Sequence, residues 1–245
     1  MNHLFPPLLP KEALQPPVLA IAAHPDDEVI ACGAMLAWHR RQGHAVRVVH
    51  CTDGAQGDPM GRYDDIAAVR RREGREALRR LGVEDVASLG LPDGALPERR
   101  DDLHRLLRAE IERARPRTLY SFFYTEAHRD HRAVARAVAS CADVLAADCR
   151  VLLFGVNQVV CGGTMFDVSG LMDVKQHALA AFASQLEYND WRAKILGRDH
   201  AATVNVEHPS VQHAELFCDL RPSELQAVAD LVEPVYRRLL RDGEA

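Results

Sequence analysis

Two short polar clusters carry most of the chemistry available to this chain. One is His24-Pro25-Asp26-Asp27-Glu28; the other is His128-Arg129-Asp130-His131. Imidazole nitrogens and carboxylate oxygens suit a divalent metal such as zinc, with metal–oxygen bonds of about 2.0–2.2 Å. Two adjacent aspartates allow a division of labour, one as ligand and its neighbour as proton acceptor. Two histidines three positions apart can turn toward one centre, and Asp130 between them can fix the tautomer of a ring. A His/Asp/His set leaves a coordination position open, as hydrolytic zinc sites do. Each cluster also has a plainer reading. Aspartate at a helix start is a common cap, and loop histidines can simply be solvated.

The elements around the clusters favour the chemical reading. Each cluster directly follows a β-like run, VLAIAA at 18–23 and TLYSFF at 118–123. Further strands are expected at 45–51, 85–89 and 150–154, with helices near 28–42, 64–81, 97–114 and 131–146. Strands and helices alternating at this spacing give a mostly parallel sheet with helices on both faces. In such a sheet the loops at the strands' carboxyl ends form the ligand crevice. Both clusters therefore fall on one edge. Beyond residue 156 the pattern loosens. It predicts helices at about 171–183 and 189–196, a strand near 202–206, and a last helix at 223–240 with Ser223 as N-cap. Residues 18–245 read as a single domain whose irregular second half completes the pocket, and residues 1–17 as a proline-rich surface arm.

Composition narrows the class. The chain has 245 residues, 30 basic and 35 acidic, for a net charge of −5. That excludes a disordered chain and a basic nucleic-acid binder. No stretch is apolar for long enough to cross a bilayer, and the N-terminus has no basic region ahead of an apolar one. Six cysteines (Cys32, Cys51, Cys141, Cys149, Cys161 and Cys218) are scattered without a CxxC pair. They predict free thiols and a reducing, cytoplasmic compartment. No GxGxxG follows the first strand, which disfavours a dinucleotide cofactor. A homo-oligomer remains compatible with the sequence.

The chain resembles the PIG-L/LmbE family of zinc-dependent N-acetyl-sugar deacetylases. The specific matches are Ala23 to Glu28 (AHPDDE) and His128 to His131 (HRDH, similar to the family's HPDH). Weaker ones are Thr52-Asp53-Gly54 with Gly57, the segment at 70–82, and LGLPDG at 89–94. The resemblance implies a Rossmann-like three-layer α/β fold and zinc held by His24, Asp27 and His131. It implies Asp26 as general base and His128, oriented by Asp130, as the group that stabilises or protonates the tetrahedral intermediate. It also implies that Arg70 and Asp93 touch the sugar. Three positions depart from the family's pattern: Arg129 stands for a proline, Phe182 for a histidine and Glu126 for a tyrosine found in some members.

The reaction so implied removes acetate from a small or carrier-linked N-acetyl amino sugar. Zinc, or ferrous iron with the same ligands, polarises the carbonyl and acidifies water. Burial and like-charged neighbours would raise Asp26, whereas the metal's charge would lower it. A zinc amidase for a larger acyl group or a thiol-sugar conjugate uses the same residues. A non-catalytic sugar- or nucleotide-binding module needs no metal. By local chemistry alone, Arg70 belongs to a solvated run, Asp93 to a turn, the 52–58 loop to a glycine-hinged lid or an ordinary connection, and His50 and Trp191 to packing.

Overall fold

The computed structural model describes residues 6–160 and 163–240. Cys161 lies outside these residues. The strands are β1 (Val18–Ala22), β2 (Val46–Thr52), β3 (Asp85–Leu91), β4 (Thr118–Phe122), β5 (Arg150–Phe154), β6 (Thr164–Asp167) and β7 (Ala214–Leu220). They form one sheet in the order β3-β2-β1-β4-β5-β7-β6. The first five are parallel, and β7 pairs antiparallel with both β5 and β6.

Strands β1 and β4 are buried along their whole length. This suits continuous apolar runs covered on both faces. The helices are α1 (Asp27–Arg41), α2 (Ile66–Arg80), α3 (Arg100–Ala114), α4 (Arg129–Ser140), α5 (Met172–Leu179), α6 (Ala183–Leu186), α7 (Trp191–Ala201) and α8 (Pro222–Leu240). Helices α1 and α2 pack with α5, while α3 and α8 pack with α4, giving a helical layer on each face. The chain runs outward from β1 to β3 and then crosses back to β4. Strands β1 and β4 are direct neighbours with Val18 opposite Thr118, so their carboxyl ends flank the point where strand order reverses. Ligands bind in open α/β sheets at this point.

Three boundaries differ from the sequence expectation. Residues 202–206 are not a strand: α7 runs to Ala201, and the Thr203 hydroxyl donates to the His200 carbonyl in the turn that follows. The missing strands are β6 and β7. Strand β7 reads AELFCDL, and its interior glutamate hides a strand from a hydrophobicity pattern. Helix α4 stops at Ser140 rather than 146 because a short 3-10 turn, Ala142–Val144, replaces its last turn. Ser223 lies inside α8, which already begins at Pro222. At the other end of the chain, the Leu9 N–H donates to the Met165 carbonyl, and Leu14 is fully buried in the core.

Candidate metal centre

The turn after β1 delivers His24, Asp26 and Asp27, and the segment after β4 delivers Glu126, His128, Asp130 and His131. His24 Nδ1 lies 3.3 Å from His131 Nε2 and 3.4 Å from Asp27 Oδ2, and His131 Nε2 lies 3.3 Å from Asp27 Oδ1. Metal–donor bonds of about 2.0–2.1 Å in a tetrahedron require ligand atoms about 3.3–3.4 Å apart. The two imidazole nitrogens stand at that spacing, and each lies at it from a different oxygen of the Asp27 carboxylate. The three residues are buried.

The other ring nitrogen of each histidine faces a carboxylate. His131 Nδ1 is 2.6 Å from Glu126 Oε2, and His24 Nε2 is 2.8 Å from Asp93 Oδ1 and 3.5 Å from Asp130 Oδ2. The contacts of His24 Nε2 lack hydrogen-bond geometry, leaving that buried atom without a hydrogen-bond partner. Carboxylates behind ligating histidines orient the rings and raise their basicity.

Two other groups of donor atoms also converge: His24, His128 and His131, and His24, Asp93 and Asp130. Donors in these groups have other commitments, as does Asp27 Oδ2, which accepts from the His24 N–H at 2.8 Å. His128 is exposed, and its Nδ1 accepts from the Asp130 N–H at 3.2 Å. The Asp130 oxygens accept from the Gly94 and Leu96 N–H groups at 2.7 and 3.1 Å, and Asp93 Oδ2 accepts from the Gln56 N–H at 2.9 Å. Asp130 therefore reaches His128 through its backbone, while its side chain fastens the 94–96 loop to the centre.

The centre is rich in negative charge. Burial works against a charged His24, yet Asp130, Asp27 and Asp93 outweigh it and hold the ring well above the usual range. His131 likewise is carried against burial up to about 9 by Asp27 and Glu126. Burial pushes Asp27 up, but His131 and His24 outweigh it and keep it well below the carboxylate range. Protons on the two rings thus do what a cation would do, and a metal would displace them. His128 is shifted down, by burial and then by the neighbouring His24 and His131.

Asp26 stands apart from the triangle. Its backbone has φ 149, a conformation non-glycine residues seldom adopt and one that costs on the order of 1–3 kcal/mol. Its carboxylate is buried and accepts from Arg70 Nη2 at 2.5 Å. Burial and then the charge of Asp27 raise Asp26 to about 6 against the opposing pull of Arg70.

Arg70, predicted at the sugar, is itself buried, and it also donates to the Gly54 carbonyl at 2.9 Å. A Cβ on Gly54 or Gly57 would come within 2.7 or 2.5 Å of the guanidinium. These glycines are therefore a cradle for Arg70. His50, predicted as packing, faces Glu28 at 3.1 Å with both side chains buried.

The centre opens into a cleft of about 470 Å³. One wall comes from α7, where Trp191, Lys194, Ile195 and Arg198 fall on one helical face and line the cleft. Trp191 packs edge-on to Phe182 as well. Gln185 lines the cleft and donates to the Gly57 carbonyl at 2.9 Å. Sequence reasoning noted Glu126 only as a departure. Its place five residues before His131 and its position just past a strand end were the available signals.

Fold and site together define an α/β protein with a candidate metal centre at the switch point of its sheet. The chain belongs to the PIG-L family: the family described as GlcNAc-PI de-N-acetylase matches residues 19–142. A relative in Bacillus cereus, "Probable N-acetyl-alpha-D-glucosaminyl L-malate deacetylase 2", is 30% identical over 76% of this chain and 92% of its own length. The N,N'-diacetylchitobiose deacetylase from Pyrococcus horikoshii superposes with a TM-score of 0.69 at 25% identity, over 84% of each chain. GalB, the 4-carboxy-2-hydroxymuconate hydratase from Pseudomonas putida, superposes with a TM-score of 0.71 at 22% identity over 83% of this chain and 95% of GalB. The last likeness is one of fold.

Proposed function

We propose that this protein is a metal-dependent N-deacetylase that releases acetate from an N-acetyl amino sugar of the N-acetylglucosamine type. The observation that carries the proposal is the 3.3–3.4 Å triangle of His24 Nδ1, His131 Nε2 and the Asp27 carboxylate. Family membership and the deacetylase relatives supply the reaction class. The fold alone does not, since a hydratase shares it.

In this reading His24, Asp27 and His131 hold a zinc or ferrous ion, and Glu126 and Asp93 steady the two rings. Bound there, the ion would polarise the amide carbonyl and lower the pKa of water. Asp26, ionised above about 6, accepts the proton of the water that attacks the acetyl carbon. Arg70 holds that carboxylate in place. With Nδ1 of His128 accepting from the Asp130 N–H, a neutral ring carries its proton on Nε2. That proton is available to the oxygen on which charge develops and then to the departing amine. Losing one such donor costs roughly 10²–10³ in rate. The carrier of the sugar occupies the α7 side of the cleft. The unpaired cysteines among the described residues (Cys32, Cys51, Cys141, Cys149 and Cys218) support a reducing compartment, the cytoplasm. No helix of the described residues is long and apolar enough to cross a membrane.

The test is incubation of zinc- and iron-loaded protein with a panel of N-acetylglucosaminides, following acetate and free amine in equal amounts. Stoichiometric acetate release from at least one glycoside supports the reading. Full metal loading with no acetate from any of them rejects it.

A further inference from the structure

A second cavity, larger than the metal cleft at about 600 Å³, lies between α3, α4 and α8. Helix α4 gives it Arg129, Arg132, Ala133, Arg136 and Ala137, the i, i+3, i+4, i+7, i+8 face of one helix. Helix α3 adds Arg100, Asp101 and His104, and α8 adds Glu233, Tyr236 and Arg237. Five arginines thus face two carboxylates in a chain whose net charge is −5. Positive charge is concentrated here against the balance of the whole molecule.

Most of these arginines are engaged locally by ion pairs or backbone, and Arg132 donates to the Glu126 and Ala127 carbonyls at 2.9 and 2.7 Å. Arg136 pairs with Glu233, Arg129 with Glu98, and Arg100 touches Asp101 at 3.9 Å. Among the described residues Arg237 meets no carboxylate. Burial and then the charges of Arg237 and Arg132 hold the Arg136 guanidinium below its ordinary range. Like charges gathered at this density repel one another, and an anion seated between them would relieve the repulsion.

The arrangement also indicates the kind of anion. Guanidinium forks match phosphate and carboxylate oxygens bidentately. From Arg129 to Arg136 the helix advances about 10 Å, which exceeds the span of a single phosphate. The floor is apolar: Pro97, Ala133 and Ala137 line it with Tyr124 and Tyr236. The Tyr124 hydroxyl donates to the Leu225 carbonyl, and the Tyr236 hydroxyl is bonded to Gln158. Both rings are buried beneath the groove, and its accessible apolar surface comes from Pro97 and Ala133.

We propose that this groove binds a small molecule carrying two or more linked phosphates, at a site separate from the metal cleft. The proposal does not depend on the deacetylase reading.

Calorimetric titration of the full chain with inorganic phosphate, pyrophosphate and ADP tests it. The expected result is saturable one-to-one binding of pyrophosphate and ADP, each about tenfold or more tighter than phosphate, and weaker in high salt. Arg237→Glu, at an exposed position, is expected to weaken both at least about tenfold. The comparable reversal Arg192→Glu, on the outer face of α7, leaves them unchanged. Circular dichroism melts of both variants establish that they fold. A weak, non-saturating response that is equal for all three anions means an adventitious ion only and overturns the proposal. Unaltered binding in Arg237→Glu overturns it too. So does sedimentation of the protein with phosphatidylglycerol vesicles while soluble pyrophosphate fails to bind, which would assign the groove to a membrane surface.

Discussion

Residues 18–142 and residues 155–220 contribute to the same cleft in different ways. The first region contributes the candidate metal ligands, the candidate base and the carboxylates that face the two rings, all following the ends of parallel strands. The second contributes a wall, and it is held in place by charge buried in the protein interior. Lys175 Nζ donates to Asp199 and to Glu215, each at 2.6 Å, and all three side chains are nearly inaccessible. Glu215 also accepts from the Ala34 and Met35 N–H groups at 2.9 Å. These N–H groups follow the break in α1 at Cys32 (φ −136, ψ 20). A strand from the second region thus caps the restarted half of the helix that carries Asp27. Glu126 is the other joint. It grips His131 and also accepts from the Val156 and Asn157 N–H groups at 2.8 and 3.3 Å. In the proposed function the first region would do the chemistry, and the second fixes the wall of the cleft in which it would happen.

Substitutions in the two regions should therefore fail in different ways. The largest effect is expected from His131→Ala, which removes one corner of the triangle. Metal analysis should fall from about one ion per chain toward zero, and turnover should vanish with it. Full occupancy in that variant would refute the ligand set. Asp26→Asn should keep the metal and lose about 10²–10⁴ in turnover, which parallel metal and rate measurements separate.

The pH profile sharpens the role of Asp26. Because its pKa is raised to about 6 and the base must be ionised, turnover should rise with pH through about 6 and be lost below it. Arg70 pulls that pKa down, so Arg70→Gln should move the acidic limb to higher pH. A limb that stays in place would remove Asp26 from the base role.

Glu126→Gln should weaken metal binding about 10–100-fold, read by competition with a chelator, while leaving the fold intact. Lys175→Met acts on the buried charges of the second region and reaches α1 only through Glu215. It leaves Glu215 buried without a cation and Asp199 with Arg198 alone, and should cost about 3–5 kcal/mol of stability, measured by urea unfolding. Metal affinity should change little in the protein that remains folded. If Lys175→Met instead lost metal before stability, the division between the regions would be wrong.

The same contrast explains what the sequence disclosed. HPDDE and HRDH were legible because histidine and aspartate are conspicuous after an apolar strand, and because parallel topology sends both to one edge. Strands β1, β4 and β5 were legible because burial on two faces makes them almost continuously apolar, and β2 and β3 by their β-like runs between helical segments. Glu215 was invisible: a charged residue inside β7 conceals the strand, and its partner Lys175 lies 40 positions away. Arg70 sits in a run of three arginines; it falls on the buried stripe of Ile66, Gly74, Ala77 and Leu78, but an arginine in such a run reads as solvated. The roles of Glu126 and Asp93 depend on ring nitrogens whose direction only the folded chain defines.

The two glycines around Arg70 limit how the cleft can be remodelled. Laboratory evolution that seeks a new sugar or carrier by randomising the loop between β2 and α2 will find that any larger residue at 54 or 57 must displace the arginine that grips Asp26. Useful diversity in that loop is confined to its outward positions such as Ala55 and Gln56, or must come from α7 across the opening.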